Sequence, residues 1–187
     1  HGAKVLYPSR TRAIVTLSRG GSDASVDREF DLVTREFVDG GFGREESKGG
    51  MSWADTSGDE VFDYTNFGEG SMTPSGYPRI VKGWRRGTPL SDATTVYEGE
   101  PTDMYIGAGT DLTPGFERAF VQRAITFYTQ ELYEIRDGGL TLVEVPISAD
   151  ANVWREWLLV QLRDDWSAAG ATYRAGSLLV IGYDDIL

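Results

Sequence analysis

Short apolar runs of strand length recur along this chain at a spacing near 50 residues, and that repeat restricts the fold more than any other feature. Strand–turn–strand units centre on Phe30, Trp84, Tyr133 and Leu178, which lie 54, 49 and 45 residues apart by subtraction. Aromatic strand starts at Trp53, Tyr105 and Trp154 repeat at 52 and 49. Gly20-Gly21, Ser57-Gly58-Asp59, Arg86-Gly87-Thr88-Pro89, Asp137-Gly138-Gly139 and Ala175-Gly176 separate the runs with turn chemistry. The runs include Ala124–Tyr128, and no long amphipathic helix is evident, so the expected class is all-β. A repeat of this length with four strands per unit is the signature of a β-propeller blade. The strand count predicts the tail of one blade over 11–39, blades over 51–99 and 103–146, and a partial blade over 151–187. A β-sandwich also spaces its strands regularly and is the competing architecture. Three to four blades form an open arc, since closed propellers use about four to eight. Two blade faces would then lack a neighbour, covered either by further chain or by a second copy in a two-fold dimer.

Composition narrows the function. A net charge of −11 opposes a nucleic-acid surface, which needs clustered Lys and Arg; Trp84-Arg85-Arg86 reads as a solvated turn. The absence of cysteine removes disulfides, thiol nucleophiles and Cys-based zinc sites. No apolar run of about 18 to 20 residues or signal peptide is visible, so no membrane partner is expected. The assignment is cytoplasmic, although a cysteine-free chain suits the periplasm equally. The first residue is His1 and not Met, which predicts a piece of a longer protein.

Each constellation with the residue types for chemistry falls short. A serine hydrolase needs a base beside its nucleophile, and the single histidine, His1, sits at the terminus. Ser22 and Ser52 occupy elbow-like contexts but read as turn serines, without the strand before and helix after that an elbow requires. Asp164-Asp165 and Asp184-Asp185 read as loop or strand-end pairs and not as a glycosidase dyad. Asp55, Asp59 and Asp63 have helical spacing in a segment that reads as turn and strand. No metal is assigned, and no cofactor. Gly107-Ala108-Gly109 lacks the third glycine, the helix and the basic residue of a phosphate cradle. Trp53, Trp84, Trp154, Trp157 and Trp166 are expected to pack between blades.

Several ordered blocks resemble the propeller of bacterial prolyl oligopeptidase family serine peptidases. They include Leu17–Ala24 with Arg28–Asp31, Val38–Phe42, Ser52-Trp53, Gly76–Leu90 with Tyr97–Glu100, Arg155–Val160 and Tyr173–Leu179. The family joins a propeller of about seven blades to an α/β-hydrolase domain that carries Ser, Asp and His and cleaves after proline. The resemblance implies a non-catalytic arc that gates entry to such a hydrolase, its partner domain, and admits short peptides. It supplies no catalytic residue here, so the segment is expected to be inactive alone. By local pattern it places Phe62 and Met104 near the substrate cavity, with ordinary blade packing as the other reading. A free-standing binding module and a propeller glycosidase are the functional alternatives.

Overall fold

The computed structural model describes residues 2–187; His1 lies outside the described residues. Four antiparallel sheets follow one another along the chain. The first contains β1 (Gly2–Val5), β2 (Arg12–Leu17), β3 (Ser25–Asp31), β4 (Glu36–Phe37) and β5 (Gly43–Ser47). Here the fourth position is split, because β4 pairs with one end of β3 and β5 with the other. This sheet reaches beyond the expected 11–39 at both ends. The second contains β6 (Gly50–Trp53), β7 (Glu60–Tyr64), β8 (Ile80–Arg85) and β9 (Thr94–Glu98). The third is β10 (Tyr105–Asp111), β11 (Arg118–Ala124), β12 (Gln130–Arg136) and β13 (Gly139–Leu142). In the fourth, β14 (Asp150–Trp154), β15 (Trp157–Gln161) and β18 (Leu178–Gly182) pair in order, and β16 (Trp166–Ala168) with β17 (Ala171–Tyr173) forms a separate hairpin. A short helix, α1 (Tyr183–Ile186), closes the chain and carries Asp184 and Asp185, which were expected in a loop or at a strand end.

Alternation along the strands sends one set of side chains to each neighbouring sheet. On β7, Val61 packs with Ile14, Phe42, Met51 and Trp53 against the first sheet. Phe62 and Tyr64 turn the other way and, with Val81 of β8, meet Ile106 and Val121 of the third. Leu158, Val160 and Tyr183 pack with Phe120 and Leu132 between the third and fourth. Each of these buried aliphatic side chains contributes about 1.5–3 kcal/mol. The leading strands converge on one rim: Trp53 Nε1 donates to Lys4 O (2.8 Å), and Thr110 Oγ1 donates to Ala54 O (3.2 Å). The last strands, β9 and β13, are largely exposed. This fan of meander sheets is a partial β-propeller, and it excludes the two-layer sandwich.

Three local expectations change. Ser52 is not in a turn but on β6, in register with Phe62. The run 124–128 was expected to be a strand, yet β11 ends at Ala124. There Thr126 Oγ1 accepts from the Tyr128 and Thr129 amides, and this local side-chain bonding bends the chain. Trp154 and Trp157 do not pack between sheets; they stand on the outward face of the fourth, 58% and 40% exposed.

Candidate functional site

The rim built by β1, β6 and β10 borders a cleft of about 490 Å³. Two glycines shape one end of it. Tyr64 lies over Gly50, where a Cβ would come within 2.8 Å of the ring, and Tyr105 lies over Gly107, where it would come within 3.1 Å. The two phenol rings meet edge to face, with centroids 6.2 Å apart. Burial pushes the Tyr64 hydroxyl up to about 12 and that of Tyr105 higher still, so both hold their protons at neutral pH. Lys4 reaches in from β1. Its Nζ donates to Met51 O (2.6 Å) and Tyr64 Oη (3.2 Å), and burial of this ammonium lowers its pKa.

Further along, Gly107 and Gly109 leave the middle of β10 without side chains, and Asp111 stands at its far end. Phe120, Gln122 and Leu132 form the adjoining wall from β11 and β12. Ser52 lines the cleft too, but its Oγ donates to Ala108 O at 2.6 Å, so its proton is engaged by the backbone. The cleft therefore offers a cation and two phenols at one end, a bare strand in the middle and a carboxylate at the other. That arrangement binds and orients a ligand.

Behind the rim, a buried charged seam joins the first two sheets. Arg44 Nε donates to Asp27 (2.8 Å), and Arg86 reaches across the boundary to grip Glu29 with two bonds of 2.9 Å. Asp63 lies in the same seam, fully buried, and neither of its oxygens has a hydrogen-bond partner. Of the three aspartates with helical spacing, Asp55 instead organises its own turn by accepting from the Gly58 and Asp59 amides.

Phe62 is buried in the core between the second and third sheets. Met104 is half-buried just before β10, its amide donating to Ala124 O. Neither residue is among those bordering the cleft. Of the residues that do, Lys4 and Tyr64 were not singled out from the sequence, and Tyr105 was noted only as a strand start in the repeat. Gly107-Ala108-Gly109 was noticed there only as an incomplete phosphate motif; its alternation with Tyr105 and Asp111 on a strand was the available signal.

No family model matches the sequence. The chain is 28% identical over 186 residues to an uncharacterized peptidase of Sinorhizobium fredii, covering 95% of this chain and 25% of the relative. It is 25% identical over 208 residues to an uncharacterized peptidase of Rickettsia prowazekii, covering all of this chain and 28% of that one. It thus spans about a quarter of the length of the curated relatives it matches. Among solved structures, a post-proline cleaving enzyme from Rickettsia typhi superposes with a TM-score of 0.89 at 25% identity, covering 100% of this chain and 29% of that one. The resemblance drawn from the ordered sequence blocks is met again in these relatives: the chain is similar, from end to end, to a propeller segment of prolyl-oligopeptidase-like peptidases.

Proposed function

We propose that this chain is the gating part of a prolyl-oligopeptidase-like serine peptidase, screening substrates by size for an α/β-hydrolase domain that performs the cleavage. The observation that carries this reading is the superposition of the whole chain on less than a third of a post-proline cleaving enzyme. Physical size supports the filter. The rim cleft measures about 490 Å³, whereas even a folded domain of about 100 residues has a radius of gyration of about 13 Å. An extended peptide threads such a space and a folded chain does not. Enclosure also keeps bulk water and folded proteins away from the hydrolytic centre. In this reading, short proline-containing peptides are the substrates.

The test is turnover by a protein that carries this chain joined to the hydrolase domain. Short proline-containing peptides should be cleaved, and a folded protein bearing the same sequence in an ordered loop should survive. Deleting one blade should expose the folded protein to cleavage. Equal cleavage of peptide and folded protein by the intact enzyme would sink the filter, and no peptide turnover would sink the peptidase reading.

A further inference from the structure

One end of the cleft holds an under-used cation. An ammonium has three donors, and the two protein bonds of Lys4 go to a carbonyl and a phenol, neither of them charged. The charged groups that act on it most, Asp27 and Arg44, are already paired with each other. Tyr64 Oη accepts from Lys4, which leaves its own proton to donate, and Tyr105 adds a second phenol beside it. This is a receptor for an anion with planar or forked acceptors, such as a carboxylate.

The rest of the cleft limits what that carboxylate is attached to. From Tyr105 to Asp111 the strand runs about 20 Å, at about 3.3 Å per residue. Tyr105 covers Gly107, but Gly109 presents bare backbone: a Cβ there would find only Ser52 Oγ, 4.0 Å away. Glycine inside a strand weakens it and marks a place where another backbone comes close. β10 pairs only with β11, and along its other edge the Ile106 amide donates to Pro78 O and Ala108 O accepts from Ser52 Oγ, so a ligand would lie over the glycine face and not along the edge. The complementary ligand has a negative end, about six residues of extended backbone and a positive end.

We infer that the cleft captures an extended oligopeptide by its free C-terminal carboxylate, with Lys4 selecting that end, Gly109 admitting the backbone, and Asp111 facing the amino end. The ligand class builds on the peptide-handling reading above. Lys4 is here a specificity-determining residue and takes no part in bond cleavage.

Calorimetric titration of this chain at pH 7 with a proline-containing hexapeptide, its C-terminal amide and its N-acetyl form tests the idea. Amidation should weaken binding about tenfold, the equivalent of about 1.4 kcal/mol. Lys4→Met should weaken binding of the acid by the same factor and leave the amide unaffected, so that the two changes do not add. Lys4→Arg should keep the preference for the acid, and Gly109→Val should abolish binding of both peptides. Acetylation should cost less in Asp111→Asn than in the parent chain. Equal affinity for acid and amide, or no binding of either, overturns the inference. In the enzyme joined to its hydrolase, absent turnover counts against the proposed function and leaves the acid–amide comparison standing. Turnover with an acid-to-amide ratio of KM that Lys4→Met leaves unchanged overturns only the role of Lys4.

Discussion

Asp63 is the residue at which stability and pH should be most tightly linked. Its carboxyl is fully buried on β7 between the first two sheets, facing Asp27, Arg44 and Lys82. Burial is the largest influence and raises its pKa from 3.8 to about 7; Arg44 opposes the shift and Asp27 adds to it. The folded state thus holds a proton that the unfolded state releases above about pH 4. The stability tied to this proton is complete below pH 3.8, falls as pH rises, and is gone above about 7. A shift of about three units corresponds to at most about 4 kcal/mol. Asp63→Asn, which cannot ionise, should flatten urea-measured stability between pH 4 and 7 and raise it by a few kcal/mol at pH 8. A variant with an unchanged pH profile would place the dependence elsewhere. Nothing in the sequence marked this residue: Asp63 was noticed only for a helical spacing that a strand does not use. Burial of a carboxylate depends on which sheet its face meets, and that is a tertiary fact.

At the scale of the element, strand content was readable wherever β-branched and aromatic residues alternate, as at 60–64 and 157–161, because such runs fit a pleated and half-buried surface. Misreadings cluster where side-chain chemistry competes with that pattern. Ile125-Thr126-Phe127-Tyr128 has the composition of a strand, but Thr126 and Thr129 bond within the loop and make it a hairpin tip. Arg118–Ala124 mixes polar and apolar residues, and both faces of β11 have neighbours in the adjoining sheets. Glycine was read as punctuation, whereas Gly107 and Gly109 lie inside β10 and open the cleft. Lys4 was legible least of all, since its role depends on chain about 60 residues away at Tyr64. One glycine holds an element in place. Gly49, leading into β6, has φ of 141°, and a Cβ there would collide with the Tyr64 carbonyl oxygen. Gly49→Ala should cost about 3 kcal/mol, read as a lower urea midpoint and loss of the Tyr64–Tyr105 arrangement in near-ultraviolet circular dichroism. A cost below about 1 kcal/mol would mean that β6 shifts freely, and the cleft with it.

At the scale of the whole molecule, the period near 50 was the most durable signal, because each sheet repeats the same need to bury two faces. The arc satisfies that need for its inner sheets and not for its last. Val153, Leu158, Val160 and Ile181 point back into the core shared with the third sheet. On the opposite face, Trp154, Trp157, Leu178 and Val180 form an apolar surface, the last two 58% and 60% exposed. The first sheet likewise shows Val5, Leu17 and Phe37 to solvent. Patches of this kind drive association when nothing else covers them. The isolated chain is therefore expected to pair with a second copy through the fourth sheet, in the two-fold arrangement by which one patch covers its own equivalent. Light scattering across a concentration series should show a monomer–dimer equilibrium, and Val180→Lys with Leu178→Glu should shift it to monomer while leaving the far-ultraviolet spectrum intact. The same pair of substitutions should leave binding in the rim cleft unchanged, since none of its lining residues belongs to the fourth sheet. A chain that stays monomeric at millimolar concentration would show that these aromatic and aliphatic groups tolerate water, and that the end faces of the arc contribute nothing to its assembly.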